Sequence, residues 1–511
     1  MIKTKSKQKG KVFPILSTVL CVLLTVLSFV LLYAAKWYVD VYGQMGFDSV
    51  LYTLFSGLSG MDSGLIESFM GAVLPKTAVW SALICGFLFF RSKRKIVLTL
   101  FRKLHIRLYP FHPILSALLC LTLCICLLVS AAINVELDEY LIAISQMSSI
   151  FEDDYQDPKT TQITFPEEKR NLIYIFLESM EISYMSSQQN GMLPYNTIPE
   201  LYDLAKDNVN FSFNEEVGGF HSVSGTNWTV GAMVAQTSGI PLKTPPGIDG
   251  NGYGQDGNFL PGVTTLTDIL HENGYFQTLM VGSDATFGGR QQYYTRHNID
   301  HIYDIHTARA DGIIPENYYV WWGMEDQHLF EYAKQELLEI AAMDQPFAFT
   351  MLTVDTHHID GYFCELCRNT YGEQYENVMA CSSRQVAAFI AWLQQQTFYE
   401  DTTVVIVGDH PSMDNGYFQR NMPEGYARTV YNCILNPAVD AVRTTGRGFC
   451  AMDMFPTTLA AMGCTIQGDR LGLGTDLFSG TPTLLEELGY AAFNEQLGRT
   501  SAYYTQNFFF E

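Results

Sequence analysis

Residues 171–178 of this chain read NLIYIFLE, a strand-like apolar run that ends abruptly at a glutamate. Two further runs follow the same plan: PFAFTMLTV at 346–354 leads into Asp355-Thr356-His357-His358, and TVVIV at 403–407 leads into Gly408-Asp409-His410. Such strands alternate with helix-like segments, a pattern that predicts a mostly parallel central sheet covered by helices. Because ligands bind beyond the carboxyl ends of the strands in open α/β sheets, we expect these polar ends to form one pocket.

Composition divides the 511-residue chain near residue 135. Two apolar runs, Val12–Ala35 and Pro113–Ile133, could each cross a hydrocarbon core of about 30 Å, and a shorter run, Phe69–Phe90, lies between them. Lysine and arginine cluster before the first run and between the second and third, whereas residues 40–68 contain neither. The positive-inside rule therefore predicts a multi-pass protein of the cell membrane whose residues after 135 are extracytoplasmic. A cleaved signal peptide is the alternative for the first run, but that run is too long for an h-region and lacks a clean cleavage site.

We predict four segments along the chain. Residues 1–135 form a membrane domain of about three transmembrane helices, residues 136–170 a helical and polar linker, residues 171–480 an external α/β domain, and residues 481–511 a C-terminal tail. The formal net charge of −22 speaks against a nucleic acid as a partner. Since the predicted cytoplasmic segments are basic, this acidity belongs to the external domain.

The predicted external domain contains six cysteines: Cys364, Cys367, Cys381, Cys433, Cys450 and Cys464. The first two form a Cys-x-x-Cys pair, but no second pair follows at the spacing of a zinc site, and an external compartment is oxidising. We therefore expect a local disulfide from Cys364 or Cys367 to Cys381.

Glu178, Asp409 and His410 are the candidate metal ligands. Each follows an apolar strand, where an unpaired charge would be costly to bury, and the bland alternative for each is a solvated residue at the junction of a strand and a loop. Together they offer carboxylate and imidazole ligands from different strands. That set suits Mn²⁺ or Mg²⁺, with Zn²⁺ as a further alternative.

The segment SGTNWT at residues 224–229 opens a small-residue helical stretch that runs to Ser238. Thr226 is the proposed nucleophile, because a metal could activate its hydroxyl, and the N-terminus of a helix favours a phosphate anion. Thr229, in the same turn, is a second candidate that the residues alone do not separate from the first. The structural alternative for Thr226 is a simple N-cap.

Three more residues are candidates for binding a substrate. His357 or His358 could protonate a leaving alkoxide or bind phosphate, although at least one of the two is expected to be structural. Arg290, in Gly288-Gly289-Arg290, could hold a phosphate through two parallel hydrogen bonds. With the metal ligands, these groups predict phosphoryl-type transfer at a metal ion.

At these residues the chain resembles the lipoteichoic acid synthase and phosphoglycerol transferase branch of the alkaline phosphatase/sulfatase superfamily. The resemblance is carried by LESME at 177–181, SGTNWTVGAMVAQTSGIPL at 224–242, LTVDTHHIDG at 352–361, VGDHPSM at 407–413 and LGLGTDLFSG at 471–480. The second and third of these motifs are closer to those of glucan phosphoglycerol transferases. The C/S-x-P-x-R motif of true sulfatases is absent around Thr226, which argues against sulfate-ester hydrolysis.

The resemblance implies an α/β sulfatase-like fold with one divalent metal ion, with Mn²⁺ favoured over Mg²⁺, Ca²⁺ or Zn²⁺. The implied ligands are Glu178, Thr226, Asp409 and His410. Thr226 rather than Thr229 is the implied covalent nucleophile, because its distance to Gly239-Ile240-Pro241 suits the family pattern.

The resemblance also implies a substrate side of the site. His357 takes the place of the family's catalytic, substrate-side histidine, and Arg290 takes that of its phosphate-contacting arginine. His358 and Trp228, in the same motifs, are expected to contact the substrate. One departure is Gly288, which stands where the family has an aromatic residue, two positions before the arginine.

The expected function is transfer of glycerol phosphate from a membrane phospholipid, phosphatidylglycerol above all, to an external glycan or teichoic-acid-type acceptor through a phosphothreonine-type intermediate. An enzyme outside the membrane has no ATP, so an activated donor must come from the bilayer. The alternatives are a phosphoethanolamine transferase on the same fold, a sulfatase-like hydrolase, and an inactive membrane-anchored scaffold. Intact candidate ligands argue against the scaffold.

Overall fold

The computed structural model describes residues 9–43, 46–56, 63–93, 96–100, 104–108, 113–244 and 259–509. The chain divides into two compact units, one made of residues 1–44 with 63–138 and the other of residues 45–62 with 139–511. The segment 45–62, which lies within the predicted membrane domain, therefore groups with the larger unit.

The smaller unit consists of long apolar helices and one hairpin. In chain order the first elements are α1 (Lys9–Tyr42), α2 (Phe47–Ser56, in the larger unit), α3 (Ser63–Lys93), β1 (Ile96–Leu100), β2 (Leu104–Leu108) and α4 (Pro113–Asn134). The two strands pair antiparallel. Within the described residues, three helical stretches are long and apolar enough to cross a membrane: Thr18–Tyr42, Ile66–Gly86 and Ile114–Asn134. The prediction of three apolar helices is confirmed.

The larger unit is built around one mixed sheet. Its strands are β3 (Ile163–Thr164), β4 (Asn171–Leu177), β5 (Gly219–Phe220), β6 (Phe276–Val281), β7 (His301–Tyr303), β8 (Phe347–Leu352), β9 (Thr402–Gly408), β10 (Val430–Leu435), β11 (Thr465–Ile466), β12 (Arg470–Leu471) and β13 (Gly474–Thr475). Seven of them form the central sheet, in the order β5-β10-β9-β4-β8-β6-β7. The five strands from β9 to β7 are parallel, and β10 pairs antiparallel with both β9 and β5. The predicted, mostly parallel sheet is confirmed.

Helices cover both faces of this sheet. The remaining helices of the chain, of which α5 begins at the end of the smaller unit, are α5 (Leu137–Ile144), α6 (Ile150–Asp154), α7 (Pro199–Asp207), α8 (Thr229–Ser238), α9 (Leu266–Glu272), α10 (Arg290–Arg296), α11 (Ile305–Ala310), α12 (Asp326–Ala341), α13 (Gln374–Leu393), α14 (Asn415–Asn421), α15 (Met454–Ala461), α16 (Leu484–Leu488), α17 (Tyr490–Gly498) and α18 (Ala502–Asn507). Alternate residues of β4 enter different cores. Tyr174 and Phe176 join the core that contains α8 and α15, whereas Ile173 and Ile175 join the one that contains α12 and α13.

The predicted linker and tail are packed parts of the larger unit. Phe151 of α6 is buried, and its ring lies 5.4 Å from that of Tyr504 and 5.6 Å from that of Phe508, measured between centroids. Phe493 and Leu497 of α17 are buried in the same core. Aromatic pairs at this separation add to the burial of their surfaces. The Tyr- and Phe-rich C-terminal residues therefore close one core of the unit.

Candidate active site

Two adjacent strands present Glu178 and Asp409 side by side. In the parallel pairing of β4 with β9, Leu177 lies opposite Gly408, so the next residue of each strand leaves the sheet at the same level. Between them, the backbone N–H of Ser179 donates to Asp409 Oδ1 at 2.8 Å, and the Ser179 hydroxyl donates to Glu178 Oε1 at 2.7 Å. Both carboxylates are buried. The register of the sheet thus brings together two residues that are far apart in sequence.

His410 adds one ring nitrogen to this pair. Its Nδ1 lies 2.9 Å from the carbonyl oxygen of Pro411, and because a carbonyl can only accept, Nδ1 carries the proton. Nε2 is therefore left facing the carboxylates, 3.2 Å from Asp409 Oδ2 and 3.7 Å from Glu178 Oε1.

Thr229 is the threonine that lies at this cluster. Its Oγ1 is 3.2 Å from His410 Nε2 and 3.4 Å from Glu178 Oε2. Thr229 is the first residue of α8, whose N-cap is Trp228. Its hydroxyl therefore sits where the backbone N–H groups of the first turn favour an anion.

The hydroxyl of Thr226, the predicted ligand and nucleophile, is bonded to the backbone of the turn before α8. The predicted helix would begin with the SGTNWT segment, but α8 begins at Thr229, and Thr226 lies in the preceding turn. There its hydroxyl donates to the carbonyl oxygen of Val223 at 2.8 Å and accepts from the backbone N–H of Val223 at 3.0 Å. Those bonds give Thr226 a structural role in the turn. Because α8 begins three residues later than predicted, Thr229 is the threonine beside Glu178 and His410.

The residues present fit one divalent cation. Glu178, Asp409 and His410 each offer a ligand atom, and these atoms lie within 4.8 Å of one another. Asp409 Oδ2 is buried and accepts no hydrogen bond from the described residues, so it retains lone pairs for a cation. Two carboxylates, one imidazole and the Thr229 hydroxyl form a donor set rich in oxygen, of the kind that suits Mn²⁺, Mg²⁺ or Zn²⁺.

The pKa values of Asp409, Glu178 and His410 also favour a bound cation. Burial, with the charge of Glu178, raises the pKa of Asp409 to about 7. Burial alone would also raise the pKa of Glu178, but attraction from His357 and His410 outweighs it and lowers that pKa. Burial opposes protonation of His410, yet Asp409 and Glu178 raise its pKa overall. Two buried carboxylates therefore repel one another, and a cation between them would relieve that repulsion.

Arg290 lies close enough to Glu178 for their charges to interact. Burial lowers the pKa of its guanidinium to about 10, against the opposing effect of Glu178. The guanidinium donates to the carbonyl oxygens of Phe287 at 3.1 Å and Asp284 at 2.6 Å, and to the Ser283 hydroxyl at 2.9 Å. These bonds hold the positive charge in one orientation beside the ligand cluster.

Tyr52, which the sequence did not single out, packs beside this arginine segment. Its hydroxyl donates to the carbonyl oxygen of Gly288, and its ring lies 5.5 Å from that of Trp228. Gly288 has a φ of 66°, and a Cβ there would lie 2.8 Å from Val230 Cγ2. The positive φ and the close approach of Val230 both favour glycine at position 288 over the family's aromatic residue. The aromatic ring beside Gly288 is instead that of Tyr52, which belongs to α2.

His357 and His358 stack on each other at 4.3 Å, and the His357 ring also lies 4.3 Å from that of Trp322. His357 Nδ1 lies 2.8 Å from the carbonyl oxygen of His358 and donates to it, so Nε2 of the neutral ring carries no proton. His357 is partly exposed, whereas His358 is buried. Burial lowers the pKa of both rings, so both are neutral at neutral pH. His357 is therefore the more accessible of the two histidines.

Asp355 makes a separate, buried pair with Asp326 at the start of α12. Asp355 Oδ1 accepts from the backbone N–H of Asp326 at 3.1 Å, and Asp326 Oδ1 accepts from that of Val354 at 2.7 Å. Burial raises the pKa of Asp326 to about 7 and also raises that of Asp355. Asp355 therefore holds the loop that begins at the end of β8. No local pattern in the sequence points to Asp326 as its partner.

Comparison with known proteins identifies the family. Residues 170–464 match the family model described as Sulfatase, which is more than half of the chain. The chain therefore belongs to the sulfatase family, and the predicted superfamily is confirmed.

Curated relatives of the chain include phosphoglycerol transferases. Phosphoglycerol transferase I of Escherichia coli is 31% identical over 376 residues, which cover 72% of this chain and 45% of that protein. Phosphoglycerol transferase I of Xanthomonas euvesicatoria is 31% identical over 256 residues, covering 48% and 34% respectively. The chain thus spans less than half the length of these relatives. Among solved structures, a protein of the alkaline phosphatase superfamily from Vibrio parahaemolyticus shares the fold, with a TM-score of 0.50 and 19% identity over 64% of this chain and 75% of that one.

Proposed function

We propose that this protein is a membrane-anchored phosphoglycerol transferase, which moves glycerol phosphate from phosphatidylglycerol to an external glycan or polyglycerolphosphate acceptor. The observation that carries the proposal is the Thr229 hydroxyl at the start of α8, 3.4 Å from Glu178 and 3.2 Å from His410. The names of the curated relatives support the group transferred. The three apolar helices support a lipid donor, and the distribution of basic residues supports an extracytoplasmic active site.

Glu178, Asp409 and His410, with Thr229, would hold one divalent cation, Mn²⁺ in the first place. When bound, such an ion supplies Lewis-acid stabilisation of charge on the phosphate and on the attacking oxygen. The chain's own residues orient the groups that react. Arg290 contributes a fixed positive charge beside the cluster, and the first turn of α8 offers backbone N–H groups to the phosphate oxygens.

In the first half-reaction the Thr229 oxygen attacks the phosphorus of the lipid, and its proton passes to Glu178 Oε2. The bond from phosphorus to the diacylglycerol oxygen breaks, and that oxygen takes a proton from His357. Burial lowers the pKa of His357, so the resting ring is neutral and first takes up a proton from solvent at Nε2; this protonated ring is the acid that gives its proton to the diacylglycerol oxygen. The products are diacylglycerol and a glycerophosphoryl-threonine.

In the second half-reaction these transfers run in reverse. An acceptor hydroxyl gives its proton to His357 and attacks the same phosphorus. The threonine oxygen leaves and recovers a proton from Glu178. The cycle restores every side chain and leaves glycerol phosphate on the acceptor.

The test is mass spectrometry of the full-length protein after incubation with phosphatidylglycerol and Mn²⁺. We expect a glycerophosphate adduct on Thr229 and free diacylglycerol. Thr229→Ala should form neither, whereas Thr226→Ala is the matched control and should still form the adduct. An adduct that persists in Thr229→Ala would overturn the assignment. A phosphoethanolamine adduct, formed from phosphatidylethanolamine in place of the expected one, would reassign the donor.

A further inference from the structure

Three cysteines converge at a second place in the larger unit. Cys364 and Cys367 lie in the loop that follows His357 and His358, and Cys381 lies in α13. Cys364 Sγ is 3.5 Å from Cys367 Sγ and 3.7 Å from Cys381 Sγ, and all three sulfur atoms lie within 4.8 Å of one another. All three residues are free thiols in this structure. The predicted local disulfide is not formed here.

The spacing of these sulfur atoms matches a tetrahedral metal site. Zinc–sulfur bonds of about 2.3 Å at tetrahedral angles place ligand sulfurs about 3.8 Å apart. The two shorter separations, 3.5 and 3.7 Å, are close to that edge length. Cys364 and Cys381 are buried, whereas Cys367 is partly exposed, so a fourth coordination position can open towards solvent.

The surroundings of the sulfurs provide an independent observation. The backbone N–H of Leu366, two residues after Cys364, opposes the rise in the pKa of the Cys364 thiol that its neighbours and burial cause. Gln385 Nε2, one turn after Cys381 in α13, lies 3.7 Å from the Cys381 sulfur and donates to it. Arg384 adds a positive charge near the same sulfur. Each of these groups stabilises negative charge on sulfur, which is the form that binds a metal.

We propose that Cys364, Cys367 and Cys381 form a second metal site, a three-thiolate site for Zn²⁺ with water or an exchangeable ligand in the fourth position. Binding would deprotonate the thiols that are still protonated and release those protons to solvent. The sulfur ligands distinguish this site from the oxygen-rich cluster around Glu178, and the proposal does not depend on the transferase activity. A bound ion would join the loop that follows His357 to α13.

Zinc content tests the proposal once the site formed by Glu178, Asp409 and His410 has been disabled by substitution. The full-length protein carrying Asp409→Asn and His410→Ala would be purified anaerobically without chelator, given Zn²⁺, desalted and analysed for metal. We expect one tightly held zinc per chain. Adding Cys367→Ser or Cys381→Ser should remove it, whereas Cys464→Ser, which replaces another buried cysteine, should leave it in place. Cys367→Ser is the informative variant for folding, because this residue is only partly buried.

Cobalt gives a second, spectroscopic readout in the same background. Co²⁺ should produce an intense thiolate-to-metal charge-transfer band, which disappears in Cys381→Ser and remains in Cys464→Ser. A chain with three reduced thiols that retains no zinc would overturn the proposal. So would an intact mass and peptide map that show a disulfide among these cysteines in the protein as isolated.

Discussion

At the scale of single residues, the position of one hydroxyl decides which threonine can act. Thr226 and Thr229 share a motif, but the hydroxyl of Thr226 is bonded to the Val223 backbone and that of Thr229 faces Glu178 and His410. A threonine hydroxyl is a weak nucleophile unless a metal or a base activates it. Only the second threonine is therefore placed for the proposed chemistry.

Metal dependence is the prediction that belongs to this scale. Asp409→Asn and Glu178→Gln should lose tightly bound metal, because each removes a charged ligand. A metal acting as a Lewis acid contributes several kcal/mol, so diacylglycerol release should fall by about 10³-fold. Chelation of the wild-type protein should have the same effect, and Mn²⁺ should reverse it. Metal analysis and a diacylglycerol assay provide the measurements.

The control for these variants is Asp300→Asn. Asp300 immediately precedes β7 and therefore lies at the amino ends of the parallel strands. The candidate ligands lie at the opposite, carboxyl ends. Asp300 accepts a hydrogen bond from the backbone N–H of Gln277 at 2.8 Å. It should keep both metal and turnover. Full metal content in Asp409→Asn would show that the cluster is not the site.

At the scale of elements, helix α8 is joined to the strands that carry the candidate ligands through the side chain of Gln236. Gln236 of α8 donates to the carbonyl oxygens of Gly408 at 3.2 Å and Asp409 at 3.3 Å, and it accepts from the Tyr174 hydroxyl at 2.8 Å. Glutamine inside a helix gives no such signal in the sequence. One residue of α8 thus joins the helix that begins with Thr229 to β4 and β9, the strands that precede Glu178, Asp409 and His410.

Helix α9 gives a pH-dependent prediction. Asp268 completes a capping box with Thr265 and accepts from Thr265 N at 2.9 Å and Asn298 Nδ2 at 2.7 Å, while His297 Nδ1 lies 2.8 Å away. Burial would raise its pKa, but the bond from His297 and the other donors lower it overall. Hydrogen bonds to a charged group contribute about 1.5–3 kcal/mol, so Asp268→Asn should lower the melting temperature at neutral pH.

The sign of the pH effect follows from that lowered pKa. Its contribution is present above the unfolded-state value of about 3.9 and is lost as the pH falls through the folded-state value. The difference in melting temperature between wild type and Asp268→Asn should therefore shrink in acid. Asp203→Asn, at an exposed position of α7, should match the wild type at both pH values. A difference in melting temperature that stays constant with pH would contradict a stabilising role for the Asp268 carboxylate.

At the scale of the whole molecule, segments distant in sequence complete the larger unit. Helix α2 brings Tyr52 to Gly288 and Trp228, and the rings of Phe47 and Tyr140 lie 5.3 Å apart. Helices α17 and α18 close one of the two cores. The unit that carries the site therefore includes residues from between the first two apolar helices and from near the C-terminus.

Topology is the prediction for the whole molecule. Truncation after residue 160 and fusion to a reporter that fluoresces only in the cytoplasm should give a dark product, since the positive-inside rule places that residue outside. A fusion near residue 95, within the basic connection between the second and third apolar runs, should be bright. Whole-cell fluorescence, normalised to fusion protein, makes the measurement. A bright fusion at residue 160 would refute the proposed extracytoplasmic site.

The sequence by itself determined the class of fold, the three apolar helices, and Glu178, Asp409 and His410 as a cluster. These follow from local patterns: apolar runs have a length and a composition, and polar residues at the ends of parallel strands must meet at one edge. The tertiary structure decided which threonine lies at the cluster, because the first residue of α8 depends on packing and on the turn at Val223. It also decided that Tyr52 contacts Gly288, that Gln236 contacts Gly408 and Asp409, and that Asp326 pairs with Asp355. Contacts between residues so far apart in sequence leave no local pattern.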